Sequence, residues 1–156
     1  AEEIGGCLIN LGLVEQQRGY VTEAIAHDRR AVEEFERIGH GSGRARSYTN
    51  LADKLARTGE FDEALAWADK ALDVSNSIGH SLTIADVYDT MAFIRLESGD
   101  FPGAAARAEE AASLYLEMGA APKAAKTLAI AAEAWEKGGQ DERAREVRSR
   151  TRSLVS

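Results

Sequence analysis

Few residues of this 156-residue chain combine the type and spacing that chemistry requires. His40 and His80 occupy similar glycine-flanked segments, but a metal site needs more donors close by. Cys7 is the single cysteine, so it cannot form an internal disulfide, and it fits a small hydrophobe in a reducing compartment. No phosphate-binding glycine loop, activated nucleophile or carboxylate pair stands out. The sequence therefore predicts no catalytic residue, no metal, no cofactor and no enzyme activity.

The charge balance argues against two classes of partner. Nineteen Lys and Arg face 26 Asp and Glu, giving a net charge of -7, which disfavours direct binding to nucleic acid or to an anionic membrane. The segment 143–152 is rich in arginine, and these residues either touch an acidic partner or nucleic acid or, as we favour, complement the negative end of a helix. No apolar run is long enough to span a bilayer, and no leader is evident, so we expect a cytoplasmic location.

Glycines divide the chain into regular units. One series recurs every 40 residues at Gly19, Gly59, Gly99 and Gly139, and a second keeps the same interval at 39, 79 and 119. Apolar residues between them recur at three and four, the helical period. The pattern predicts helices at about 3–18, 22–38, 43–58, 62–78, 83–98, 102–118, 122–137 and 141–155. It also predicts Asp62 and Asp141 as N-caps and Pro102 and Pro122 as first helical residues.

These units resemble the tetratricopeptide repeat. The resemblance rests on Leu51-Ala52, the following glycine and aromatic, and alanine pairs seven residues apart; the pairs are 24 and 31, 64 and 71, and 104 and 111. Small side chains let two helices approach closely where they cross. The period exceeds the usual 34 of the family because both helices are longer. Long-unit arrays of this family, as the resemblance implies, sense or scaffold in bacterial regulators and eukaryotic adaptors.

The expected fold is all-α: an α-solenoid of four helix-turn-helix repeats with eight antiparallel helices. The repeats would span about 1–40, 41–80, 81–120 and 121–156, and the polar last one would be a C-terminal cap. Apolar residues surround the first predicted helix, at 4, 7–9, 11, 13 and 14. This indicates either a missing upstream helix, which we favour, or a self-association surface. The chain would then be a piece of a larger protein.

The family resemblance also implies where a partner binds. In such arrays the first helix of each repeat lines the concave side, and the repeat register places the same kinds of positions there in this chain. The expected partner-binding residues are Asn10, Arg46, Asn50, Asp53, Arg57, Asp86, Asp89, Phe93, Lys126 and Glu133.

Asn10 and Asn50 are the most informative of these residues. A side-chain amide can donate to a carbonyl and accept from an N–H of an extended peptide, which would bind backbone without reading sequence. The alternative is that both amides bond to a helix of the neighbouring repeat, and the two interpretations are level. Phe93 would either anchor a partner or pack on a neighbouring helix.

Two functions follow from this reasoning. The first is an interaction scaffold that binds a protein or peptide segment in its groove, within a larger regulatory or signalling protein. The second is a structural spacer or self-association arm of a bacterial transcriptional regulator, with the apolar first helix as the joint.

Overall fold

The computed structural model describes residues 21–155, and all regular structure in that range is helical. The seven helices are α1 (Val21–Ile38), α2 (Gly41–Arg57), α3 (Phe61–Ile78), α4 (Ser81–Ser98), α5 (Phe101–Glu117), α6 (Ala121–Lys137) and α7 (Asp141–Val155). The predicted all-α class is confirmed, and each helix begins and ends within two residues of its expected position. The helix predicted at 3–18 lies outside the described residues, so the count of eight helices in four repeats stays a prediction.

The chain divides into two compact units, and the boundary lies between Thr83 and Ile84. In the first unit α1 packs on α2 and α2 on α3; in the second, α5 packs on α6 and α6 on α7. Within each unit these consecutive helices are thus neighbours in space, as expected for helix-turn-helix repeats. None of the helices described in the range 21–155 has the length and apolar character needed to cross a membrane.

Left-handed glycines end the helices. Gly59 has φ +82°; its N–H donates to the Ala56 carbonyl at 3.1 Å, and the next N–H, of Glu60, reaches back to Leu55 at 2.9 Å. This pair of bonds is the Schellman arrangement, which satisfies carbonyls that the helix end leaves without partners. The same pattern recurs at Gly39, Gly99, Gly119 and Gly139. The glycine series seen in the sequence therefore marks real helix ends.

Alanine fills the helix crossings. Ala52, Ala92 and Ala132, which recur at intervals of 40 on α2, α4 and α6, are at most 2% exposed, and both alanines of each predicted pair are fully buried. Larger side chains fill the space beside the crossings: in the second unit, Leu128 and Tyr115 join the alanines of one core cluster. Because interiors pack at near-crystalline density, few larger residues would fit the crossings themselves.

Four predictions about helix starts, two N-caps and two prolines, are wrong. Asp62 is not the N-cap of α3, because the helix begins at Phe61 and Glu60 holds the cap position; Asp141 is itself the first residue of α7. Both carboxylates lie in the first turn, where they favour the positive end of the helix without capping it. Side chains that do accept bonds at helix starts include His40 of α2 and Asp100 of α5, which accept from Gly43 N and Gly103 N, and His80, which accepts from Thr83 N at 3.4 Å at the start of α4. Pro102 and Pro122 are second rather than first residues of their helices.

Candidate partner-binding faces

One face of α2 carries four of the predicted partner-binding residues. Arg46, Asn50, Asp53 and Arg57 follow each other at intervals of three or four, which aligns them along the helix. The two arginines are exposed, and Asn50 and Asp53 are half-buried. Asp53 accepts from Arg57 Nε at 2.9 Å. We call these four residues the α2 face. Asn10, predicted to extend the same row, lies outside the described residues.

The Asn50 amide is available on this face. Within the described part of the first unit, residues 21–83, no hydrogen bond to its side chain is present. An amide offers two donors and one acceptor, which is the complement of a peptide backbone. The role of Asn50 in binding stays a prediction, and its amide atoms have the capacity to bond to a peptide backbone.

A polar cluster joins α4, α5 and α6 in the second unit. Asp86 of α4 accepts from the Tyr115 hydroxyl at 2.5 Å and from Lys123 Nζ at 3.4 Å, and the same ammonium lies 5.5 Å from the Tyr115 ring centre. Burial raises the pKa of Tyr115 well above its usual range, and the bond to Asp86 adds to the effect. Part of the bonding capacity of Asp86 is therefore used within its own unit.

Asp89 differs from Asp86. It is half-buried one helical turn further along α4, and among the described residues of the second unit it forms no ion pair. Burial raises the pKa of Asp89, and the charge of Asp86 adds to this, while the Thr127 hydroxyl and Lys126 lower it. A cationic group brought to this carboxylate by a partner would relieve its unfavourable environment.

The other predicted residues of the second unit divide by exposure. Phe93 is half-buried on α4, in line with Asp86 and Asp89. On α6, Lys126 and Glu133 are exposed, and Glu133 pairs with Lys137 at 3.0 Å, which raises the pKa of the lysine. We call Asp86, Asp89 and Phe93 the α4 face. The predicted residues thus lie on one face of each helix.

Sequence reasoning missed a buried ion pair between α1 and α2. Lys54 Nζ donates to Asp28 Oδ2 at 2.5 Å, and the side chains are 1% and 0% exposed. Burial raises the pKa of Asp28, and the bond from Lys54 opposes this. The sequence held a signal: Asp28 sits between Ala24 and Ala31 in the buried stripe of α1, and Lys54 follows Leu51 at helical spacing.

Aromatic and cationic side chains also meet between α2 and α3. The rings of Tyr48 and Trp67 have centres 5.4 Å apart, and Lys70 Nζ lies 4.7 Å from the Trp67 ring centre. The Tyr48 hydroxyl donates to Glu36 at 2.8 Å. Burial, followed by this bond, raises the pKa of Tyr48 to about 12. These contacts hold α1, α2 and α3 together at one edge of the first unit.

The second unit also has a small open cleft. Its volume is about 230 Å³, and Trp135, under the guanidinium of Arg143 at 4.8 Å, forms one wall. Glu109 and Arg150 face each other across it at 3.6 Å, so charges of both signs line the cleft and no single ligand chemistry is favoured. In the part of the chain from 21 to 155, no three His, Cys, Asp or Glu side chains group as a metal site would require.

The fold and these faces define an all-α helical-repeat protein, a class that uses extended surfaces to bind partners. The tetratricopeptide repeat family model matches residues 6–77 and 44–117, and the chain belongs to that family. Comparison with curated protein sequences finds no match.

Three solved structures show the same fold. BtubC (BKLC) from P. vanneervenii is 16% identical, with a TM-score of 0.84 over 97% of this chain. A Rap protein complexed with competence and sporulation factor is 17% identical, with a TM-score of 0.91 over 99% of this chain. A Podosopora anserina chain of nearly identical TPR-like repeats is 17% identical, with a TM-score of 0.75 over 97% of this chain and 74% of that one. This chain spans 63% of BtubC and 43% of the Rap protein.

Proposed function

We propose that this chain is a cytoplasmic interaction scaffold that binds a peptide or an extended protein segment along the α2 face, with the α4 face as a second such surface, as part of a larger regulatory protein. The observation that carries the proposal is the Asn50 amide, which is half-buried, lies in line with three charged residues and makes no hydrogen bond within the described residues of its unit. The family assignment supports a scaffold, and the similar Rap protein was solved in complex with a factor.

The charges of the two faces define the partner more closely. Arg46 is exposed on the α2 face, and Arg57 is already paired with Asp53. On the α4 face, Asp89 lacks an ion pair within its unit's described residues, and Asp86 shares its carboxylate with Tyr115 and Lys123. An acidic group of a partner complements Arg46 on the α2 face, and a basic group complements the carboxylates of the α4 face.

The test is selection of peptide ligands from a random library, followed by affinity measurements on variants. Replacing both Asn50 and Arg46 by alanine should weaken binding of the selected peptides by about tenfold or more, because the peptide loses bonds to an amide and to a guanidinium. A matched control replaces Asn76 and Arg30, exposed residues of the same types on α3 and α1. Equal affinity of both double variants and the unaltered chain would refute the proposal.

The alternative function is a spacer or self-association arm. It predicts that no peptide is selected and that the sedimentation coefficient rises with protein concentration, because the chain itself is then the partner. Exposed apolar side chains do exist on the first unit, at Ile78 and Leu82, which are 43% and 36% exposed. Sedimentation velocity over a wide concentration range, with and without a selected peptide, separates the two functions.

A further inference from the structure

Similar repeats must still pack in the order in which they occur along the chain. Both alanines of each predicted pair recur at 40-residue intervals on α1, α3 and α5, and all six alanines are fully buried. Each of these helices therefore offers neighbours the same small-residue surface. Helix packing by size alone does not distinguish α2 from α4 or α6 as the neighbour of α1, nor a helix of the same chain from one of a second copy.

The Asp28–Lys54 pair breaks this equivalence. Among the described ion pairs of the chain it alone has both side chains buried, at 0% and 1% exposure. The positions one and two periods beyond Asp28 are Ala68 and Ala108, and those beyond Lys54 are Ile94 and Ala134; all four are fully buried. Where the α1–α2 contact has a charged pair, the corresponding positions of later repeats are apolar.

From this contrast we infer that the buried Asp28–Lys54 pair fixes the order of the repeats, because it favours packing of α1 on α2 over packing of α1 on α4 or α6. If α1 packed on α4 or α6 instead, Asp28 would face a position held by Ile94 or Ala134, and both members of the pair would be buried without a partner. Burying an unpaired charge is strongly unfavourable, whereas the correct order pairs both. A single polar group that sets helix register acts in this way in other helical assemblies.

The test is refolding of the double variant Asp28→Ala with Lys54→Ile, which introduces the residues of the following repeat. Equal amounts of isotope-labelled and unlabelled chain are unfolded together in denaturant, refolded and examined by native mass spectrometry. Exchange of helices between chains yields oligomers of hybrid mass that do not form when the two folded samples are simply mixed. We expect such oligomers to increase several-fold over the unaltered chain, while helicity is retained and the melting temperature does not fall.

Two controls make the result specific. Replacing Arg29 and Glu63 by alanine removes an exposed ion pair between α1 and α3, of length 2.7 Å, and should leave the refolded distribution unchanged. Exchanging the two charges, with Asp28→Lys and Lys54→Asp, retains a complementary pair and should suppress hybrid oligomers relative to the apolar variant.

Two results would overturn the inference. The first is an apolar variant that refolds with no more hybrid oligomer than the Arg29 and Glu63 variant, since order would then not depend on the pair. The second is an apolar variant that loses its helicity, because the pair would then be required for stability itself.

Discussion

Replacing Lys54 by methionine tests the energetics of the buried pair most directly. Methionine keeps most of the length of the side chain and removes the ammonium that donates to Asp28 at 2.5 Å. The carboxylate of Asp28, which is 0% exposed, is then left buried without its cation. Breaking a buried pair by removing one partner costs about 3–5 kcal/mol, a large share of the roughly 5–15 kcal/mol by which a domain is stable.

Urea unfolding monitored by circular dichroism measures this loss. With a slope of about 2 kcal/mol per M, a loss of about 4 kcal/mol lowers the midpoint by roughly 2 M. The double change Asp28→Ala with Lys54→Ile removes both charges, so we expect it to be neutral or stabilising by about 1–4 kcal/mol. The two results together would show strong non-additivity between the two positions.

The pH dependence gives the sign of the effect. Burial already raises the pKa of Asp28 above its ordinary value, and Lys54 opposes that shift, so the methionine variant raises the pKa of Asp28 further. An acid whose pKa is raised in the folded state binds more protons folded than unfolded, so stability falls as pH rises above the unfolded pKa. The deficit of Lys54→Met should therefore be full at neutral pH and shrink as pH falls toward 4. A deficit below about 1 kcal/mol at pH 7, or one that does not change with pH, would refute this reasoning.

Three further predictions concern single residues. In alkaline titration followed by tyrosinate absorbance, Tyr48→Phe should remove a transition near pH 12, because the pKa of Tyr48 is raised to about 12. The stability that Tyr48 contributes is therefore complete below pH 10 and lost as pH rises through 12. Removal of a transition near pH 10 instead would contradict this. Gly79→Ala should lower the free energy of unfolding in urea by about 1–2 kcal/mol, because Gly79 has φ +74°. The control Gly41→Ala, at a helical position beside the flexible end of the Ile78 side chain, should lower it clearly less. Equal losses would exclude the backbone explanation. Asp100→Ala should lower the free energy of unfolding by about 0.5–2 kcal/mol, because the bond from Gly103 N is lost, and Asp100→Asn should restore most of this. An unchanged urea midpoint for the alanine variant would show that the cap contributes little to stability.

Helix positions were predictable because they depend on local signals. Glycines at the ends of the first six described helices, and apolar residues at helical spacing, placed all seven described helices within two residues. The N-caps at Asp62 and Asp141 were mispredicted because an acidic residue is equally favourable in the first turn, and the sequence does not separate the two positions.

The buried pair was not predicted because its meaning depends on tertiary contact. Lys54 lies beside Asp53 in the sequence, which is typical of a solvated charged segment, yet the two side chains lie on different faces of α2. The helical register of Asp28 and Lys54 indicates burial, but only the packing of α1 on α2 shows that the two meet. In the same way, register placed Asn50 on a face of α2, and whether a partner uses it depends on contacts beyond the chain.

The glycine turns have a consequence for how such a chain changes length. Each described turn closes with bonds that reach back no more than five residues, as from Glu60 to Leu55, so its geometry is independent of whatever helix follows. A gene segment encoding one 40-residue unit can therefore be duplicated or deleted while every remaining turn keeps its conformation. Because one ion pair among residues 21–155, Asp28–Lys54, is fully buried, we expect such events to be tolerated unequally along the chain, with those that separate α1 from α2 the most damaging.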